Sequence, residues 1–242
     1  MSSLRLCAVL FALLPCLCGR AQSPRQLRLS AGAGVCWPVS KGNAGSYMAV
    51  VLPQAALQLF LPLGERVGLL TGLAYQQKGY DSRSELRGAP PNNTDADVYL
   101  GYTRYHFATI PLEVAVRLRQ HGRWALWLDG GMAYGFLMRA QTEVVWNTYR
   151  NDRLINSNTY LSRPEIGLLP RATRLAAGTP GYYPSLYRLN AAVAAALTLV
   201  LRKRYLLRAF YEYNLDDVAS VQTISGGTLH LQAAGLSLGV GF

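Results

Sequence analysis

Leu112-Glu113-Val114-Ala115-Val116-Arg117-Leu118-Arg119 (LEVAVRLR) decides the fold class. Its even positions are apolar, and its odd positions are charged or small. In a β-strand successive side chains point to opposite sides, so a period of two marks a strand with two unlike faces. The period recurs along the chain. Leu27, Leu29, Ala31, Ala33 and Val35 alternate with Arg28, Ser30, Gly32, Gly34 and Cys36. Tyr205, Leu207, Ala209, Tyr211 and Tyr213 alternate with Leu206, Arg208, Phe210, Glu212 and Asn214. Asn190 to Leu201 (NAAVAAALTLVL) is Ala-rich and helical by propensity. It is too short to span a bilayer and stops at Arg202-Lys203-Arg204, so its alternating neighbours make it a strand as well.

A soluble sandwich alternates in the same way, and three further features favour a membrane barrel. Very short turns join strands on one side, at Pro62 to Arg66, Gln120 to Arg123 and Arg202 to Arg204. Long connections join them on the other, at Asp81 to Val98 and Arg139 to Ser185. This asymmetry is the one expected of short periplasmic turns and long outer loops. Aromatics gather at strand ends: Trp124 and Tyr205 beside the short turns, and Tyr75, Tyr80, Tyr105, Tyr134, Phe136, Tyr187 and Tyr213 toward the long ones. That is the composition of two interfacial girdles. The other face is rich in Gly and Ala, which suits a narrow, curved interior. The pattern predicts an all-β protein, a single antiparallel transmembrane β-barrel of about eight strands. They lie near Gln26–Cys36, Ala49–Leu61, Val67–Tyr80, Tyr99–Arg119, Trp124–Leu137, Leu186–Leu201, Tyr205–Asp216 and Thr228–Phe242.

The N-terminus predicts the compartment. Arg5 precedes an apolar run from Leu6 to Leu17, and Gly19-Arg20-Ala21 offers small residues to a signal peptidase. Residues 1–21 read as a secretory signal peptide, and 22–242 as the barrel domain with a long outer loop near 139–185. Cys16 and Cys18 raise the alternative of a lipoprotein, but Pro15 and Leu17 stand where a small residue is needed. Of the four cysteines only Cys36 follows the cut, so no internal disulfide and no Cys/His zinc set is expected.

The formal net charge is +11, carried mostly by Arg. With a secretion signal, no basic helix and no finger spacing, nucleic acid is not an expected partner. Arg binds phosphates bidentately, and outer-leaflet glycolipids carry phosphates. The chain ends on Phe242, with Val240, Leu238 and Leu236 at spacing two before it. A terminal aromatic closing an alternating strand reads as an assembly signal for barrel-assembly machinery.

The chain resembles the PorT-like outer-membrane β-barrel proteins. The resemblance rests on Gly72-Leu73-Ala74-Tyr75-Gln76-Gln77-Lys78-Gly79, Ile110-Pro111-Leu112-Glu113, Asp129-Gly130-Gly131, Tyr211-Glu212-Tyr213-Asn214-Leu215-Asp216-Asp217 and the final Leu236-Ser237-Leu238-Gly239-Val240-Gly241-Phe242. It covers nearly the whole chain after the signal and implies a barrel rather than an activity. The family's namesake serves type IX protein secretion, and that role is not carried over.

The alternation points Lys78, Glu113, Arg117, Asp129, Arg208 and Glu212 into the barrel. Charges in a narrow interior must pair or meet water, because an unpaired one costs several kcal/mol. They read as an ionic plug or, alternatively, as an ion or proton path. His106, His121 and His230 are the only histidines, and a set such as Ser225, His230 and Asp217 has no spacing that demands catalysis. Asn92-Asn93-Thr94 matches a glycosylation acceptor pattern, which carries little weight in a bacterial chain. The reading is therefore a non-enzymatic protein of the cell outer membrane, without cofactor or metal, with a structural or partner-binding role. Its expected partners are outer-membrane lipids, the assembly machinery and an extracellular or secretion-system protein. A narrow transport or secretion component is the alternative, and a lipid-active enzyme the third choice. The 139–185 segment mixes Arg with Trp and Tyr, a composition suited to recognition.

Overall fold

The computed structural model describes residues 25–41, 46–87, 95–163, 166–167, 186–187, 189–215 and 228–242. The expected signal peptide, Ser225, Asp217 and the Asn92–Thr94 pattern lie outside these residues. Twelve strands are present among them: β1 (Gln26–Lys41), β2 (Ser46–Met48), β3 (Val50–Pro62), β4 (Val67–Arg87), β5 (Ala96–His121), β6 (Trp124–Arg150), β7 (Arg153–Ser162), β8 (Ile166–Gly167), β9 (Leu186–Tyr187), β10 (Leu189–Leu201), β11 (Tyr205–Asn214) and β12 (Thr228–Gly241).

Eight of them close a ring. The order runs β10, β11, β12, β1, β3, β4, β5, β6, and β6 pairs back onto β10. Every pairing in the ring is antiparallel. Closure leaves no free sheet edge in the wall. The seam between chain ends is made by Phe242 N–H donating to the Leu27 carbonyl at 2.8 Å and Leu27 N–H donating back at 3.2 Å.

Burial follows the alternation of the sequence. In β5, Leu112, Val114 and Val116 face outward, while Pro111, Glu113 and Ala115 face in. Leu27, Leu29, Leu207, Leu236 and Leu238 are likewise exposed on the outer wall. The interior is narrow enough that a few positions admit only Gly. Gly34 and Gly235 lie under the Phe210 ring, and a Cβ at either would come within 3.0 Å of it. Gly72 has a φ of +151° and a Cβ there would meet the Leu57 carbonyl, so both the backbone and the space require glycine.

Two expectations are corrected. The segments 81–98 and 139–185 are not simply loops. β4 continues to Arg87, β5 starts at Ala96, and β6 runs to Arg150 before a two-residue turn at Asn151-Asp152 leads into β7. These extensions form a sheet above the ring, with β2 beside β4 on one flank and β7 beside β6 on the other. Both turn residues have positive φ (48° and 58°), a conformation that Asn and Asp tolerate and that closes tight hairpins. The other correction concerns the girdle. Tyr105 is buried in the lumen and Tyr80 packs against the same apolar cluster, so neither faces outward.

Candidate functional site

The inward faces of the eight strands meet in a lumen built in layers. Nearest the short turns is an apolar cluster of Phe60, Leu70, Ala115, Trp127, Val200 and Leu206. Toward the other end is a second one, of Cys36, Val50, Leu52, Tyr105, Phe107, Leu137, Ala140, Leu231 and Ala233. The charged residues lie mainly between them. The polar inward positions at this height include Gln58, Lys78, Glu113, Asp129, Thr198, Glu212 and Ser237.

In the upper part of this layer, Lys78 Nζ meets Glu212 Oε1 at 2.5 Å. It also donates to Asn214 Oδ1 at 2.9 Å. Gln76 donates to the other Glu212 oxygen at 2.9 Å, and Thr109 donates to the Gln76 carbonyl at 3.4 Å. In the lower part, Arg208 Nη2 meets Glu113 Oε2 at 2.5 Å, while its Nη1 lies 3.9 Å from Asp129 Oδ2. Thr198 donates to the same Asp129 oxygen at 2.5 Å. Such ionised hydrogen bonds are shorter and stronger than neutral ones. Between the two parts is a cavity of about 50 Å³, bounded by Ser30, Gln58, Glu113, Arg208, Glu212 and Ser237. A water molecule needs about 10–15 Å³ measured this way, so a few waters fit.

Five of the six charges expected in the interior therefore meet: Lys78, Glu113, Asp129, Arg208 and Glu212. Arg117 does not join them. It lies lower, with its guanidinium 5.8 Å from the Trp127 ring, and forms no ion pair among the described residues. The sequence reading passed over Arg28, which is buried with its guanidinium 4.2 Å over the Phe60 ring and its Nε donating to Gln26 at 3.1 Å. The alternation places Arg28 inward as surely as Arg208, so its parity was the available clue. The neutral partners Gln76, Asn214, Thr109 and Thr198 were equally open to that reading.

Leu236, Leu238 and Phe242 are exposed on the outer wall, and β12 pairs β1 and β11 along its length. Cys36 is free and buried, and accepts the Gly79 N–H at 3.4 Å. His106 and His230 lie near the outer rim, His121 beside a short turn. His106 Nδ1 is 2.7 Å from the Tyr75 hydroxyl, and His230 stacks on Tyr213. No three His, Cys, Asp or Glu side chains among the described residues are grouped to hold a metal ion.

No family model matches the chain, and no curated protein matches its sequence. Several solved barrels are similar in shape. The Ail attachment invasion locus protein of Yersinia pestis, solved with the heparin analogue sucrose octasulfate, is 12% identical with a TM-score of 0.41, covering 91% of this chain and 100% of that one. Neisserial surface protein A is 8% identical with a TM-score of 0.35, covering 90% and 99%. The N-terminal β-barrel domain of Pseudomonas aeruginosa OprF is 9% identical with a TM-score of 0.32, covering 88% and 97%. Scores of this size leave the architecture to the strand pairing described above.

Proposed function

We propose that this chain is an outer-membrane β-barrel whose closed wall seats it in the bilayer and whose rim sheet serves partner or ligand binding. It is neither a pore nor an enzyme. The outer wall supports the membrane seat. Leu29, Val51, Leu73, Ile110, Val114, Leu197 and Leu238 are all exposed there, and Leu238 keeps 67% of its surface. Burying such area gains about 25 cal/mol per Å², so a continuous apolar wall favours lipid over water. Tyr134, Phe136 and Tyr211 at one end and Tyr205 and Phe242 at the other are exposed at the heights of two girdles. In a Gram-negative cell, assembly machinery reading the Phe242 strand would deliver the barrel to that membrane.

The observation that carries the role is the filling of the lumen, where paired charges lie between two apolar clusters. A conducting path needs a continuous polar route, and among the described residues the paired charges lie between two apolar clusters beside a cavity that takes a few waters. The protein reconstituted in a planar bilayer is expected to show no steady conductance. A stable, ion-selective current from the unmodified chain overturns this reading and promotes the narrow-transport one.

A further inference from the structure

The inward-facing residues of β6 run Ala125, Trp127, Asp129, Gly131, Ala133, Gly135 and Leu137. Continued by one step, this parity would turn Arg139 into the upper apolar cluster. It does not. The ladder between β5 and β6 slips between His106 and Phe107, so that one extra residue, Met138, sits between the partners Leu137 and Arg139. The phase shifts, Ala140 enters the cluster with 3% of its surface exposed, and Met138 and Arg139 both face outward. Bulges of this kind re-aim a side chain.

The re-aimed arginine arrives in a built setting. It is the register partner of His106, which also faces outward. The His106 ring is held through Nδ1 by the Tyr75 hydroxyl at 2.7 Å, leaving Nε2 as its other polar atom. Arg139 donates to the Gln141 side-chain carbonyl at 2.8 Å and forms no ion pair among the described residues. Its neighbour Arg104, by contrast, is neutralised by Asp81 at 2.7 Å. Directly beneath lie Ile110, Tyr134, Phe136 and Met138, all exposed. The stretch from Leu128 to Met138 has the length a tilted strand needs to cross a hydrocarbon core, about 9–11 residues, so Arg139 stands at headgroup height.

We propose that Arg139 and His106, set side by side on the outer rim by the β6 bulge, hold the phosphate monoester of an outer-leaflet glycolipid whose acyl chains lie along Ile110, Tyr134 and Phe136. A planar guanidinium takes two phosphate oxygens at once, and the imidazole adds a donor beside it. A soluble anion would use the same donors but gain nothing from the apolar wall below. The proposal rests on the barrel being seated in a membrane.

The test uses phosphatidylcholine nanodiscs carrying either bisphosphorylated or dephosphorylated lipid A. Retained lipid is counted by native mass spectrometry, and insertion is read separately from the shift in gel mobility on boiling. The expected result is that the unmodified protein keeps bisphosphorylated lipid A in preference to the dephosphorylated form. Losing one charge-assisted contact should reduce that preference about tenfold in Arg139→Gln. His106→Ala weakens it less, and Arg66→Gln, in a turn at the opposite end, leaves it unchanged. Equal retention of the two lipids by an inserted protein, or an unaltered preference in Arg139→Gln, overturns the clamp while the membrane seat stands. Saturation of the same preference by inorganic phosphate alone also overturns it. A chain that neither inserts nor shifts on boiling fails the membrane reading itself.

Discussion

The strand β6 is two structures in one. From Trp124 to Met138 burial alternates in step with the sequence, and Trp127, Asp129, Ala133 and Leu137 are shut into the lumen. From Gln141 to Tyr149 the same strand keeps its hydrogen-bond partners, yet every residue is half-buried. The strand is paired on both sides of the bulge, so the alternation is not a property of the strand. It reports the difference between the media on its two faces. Below the bulge one face meets packed side chains and the other is an exposed, largely apolar wall. Above it the two faces are alike in burial.

The largest expected effect belongs to the lower region. Among the described residues Glu212 is the one acid within ion-pair distance of Lys78, whereas Arg208 has both Glu113 and Asp129. Glu212→Ala is therefore expected to cost about 3–5 kcal/mol, the range for a buried charge left without its partner. Glu113→Ala is expected to cost less, because Asp129 remains. Urea unfolding in detergent micelles, followed by tryptophan fluorescence, measures both. Replacing the pair together, Lys78→Met with Glu212→Leu, is expected to recover most of the loss. An order in which Glu113→Ala is the worse would mean that the two halves of the layer share their charges more evenly than their geometry implies.

The legibility of the chain divides at the same bulge. Below it the period of two located all eight wall strands, their inward face and five of the charges that meet there. Arg117 was misjudged because parity says which way a side chain leaves the strand and nothing of its height. A second slip in the β5–β6 register, between Arg117 and Arg119, adds to this near the turn. Above the bulge the alternation fades, so Asp81–Val98 and Arg139–Ser185 read as loops although much of both is strand. The missed clue was local: Asn151-Asp152 between Thr148-Tyr149 and Leu154-Ile155 is a turn pair flanked by β-formers. The bulge at Met138 left no comparable mark, since a one-residue slip is set by neighbouring strands.

An intermediate effect follows for the upper region. Replacing residues 143–161 by a short Gly/Ser turn removes the rim hairpin but leaves Arg139, Ala140 and both wall ladders of β6 intact. The barrel is expected to insert and to keep its unfolding free energy in urea within about 1 kcal/mol, as for changes away from a packed core. A cut made at Arg139 would also take Ala140 from the upper cluster and is expected to do worse. If the shorter cut also prevents folding, the rim sheet belongs to the barrel's cooperative unit and the two regions of β6 are energetically one.

The smallest effect lies at the far tip, where the Asp95 carboxylate receives Arg150 Nη1 at 2.8 Å and the Asn151 backbone N–H at 3.1 Å. The Arg150 hydrogen bond, then the Asn151 one, holds the Asp95 carboxyl below its usual value of 3.8. A carboxylate whose folded pKa is depressed contributes stability that is present above the unfolded value. That contribution is lost as pH falls through the lower, folded value. The contact closes the β6–β7 turn in an exposed place, where solvent screens it, so no change in barrel stability is expected. The effect is instead local. At neutral pH the amides around Asn151 should exchange with solvent faster in Asp95→Asn than in the unmodified chain, with wall amides such as Val114 unaltered. The unmodified chain should lose the difference only at a pH below about 3.8. Faster exchange spreading down β6 past Met138 would show that the bulge does not separate the rim from the wall.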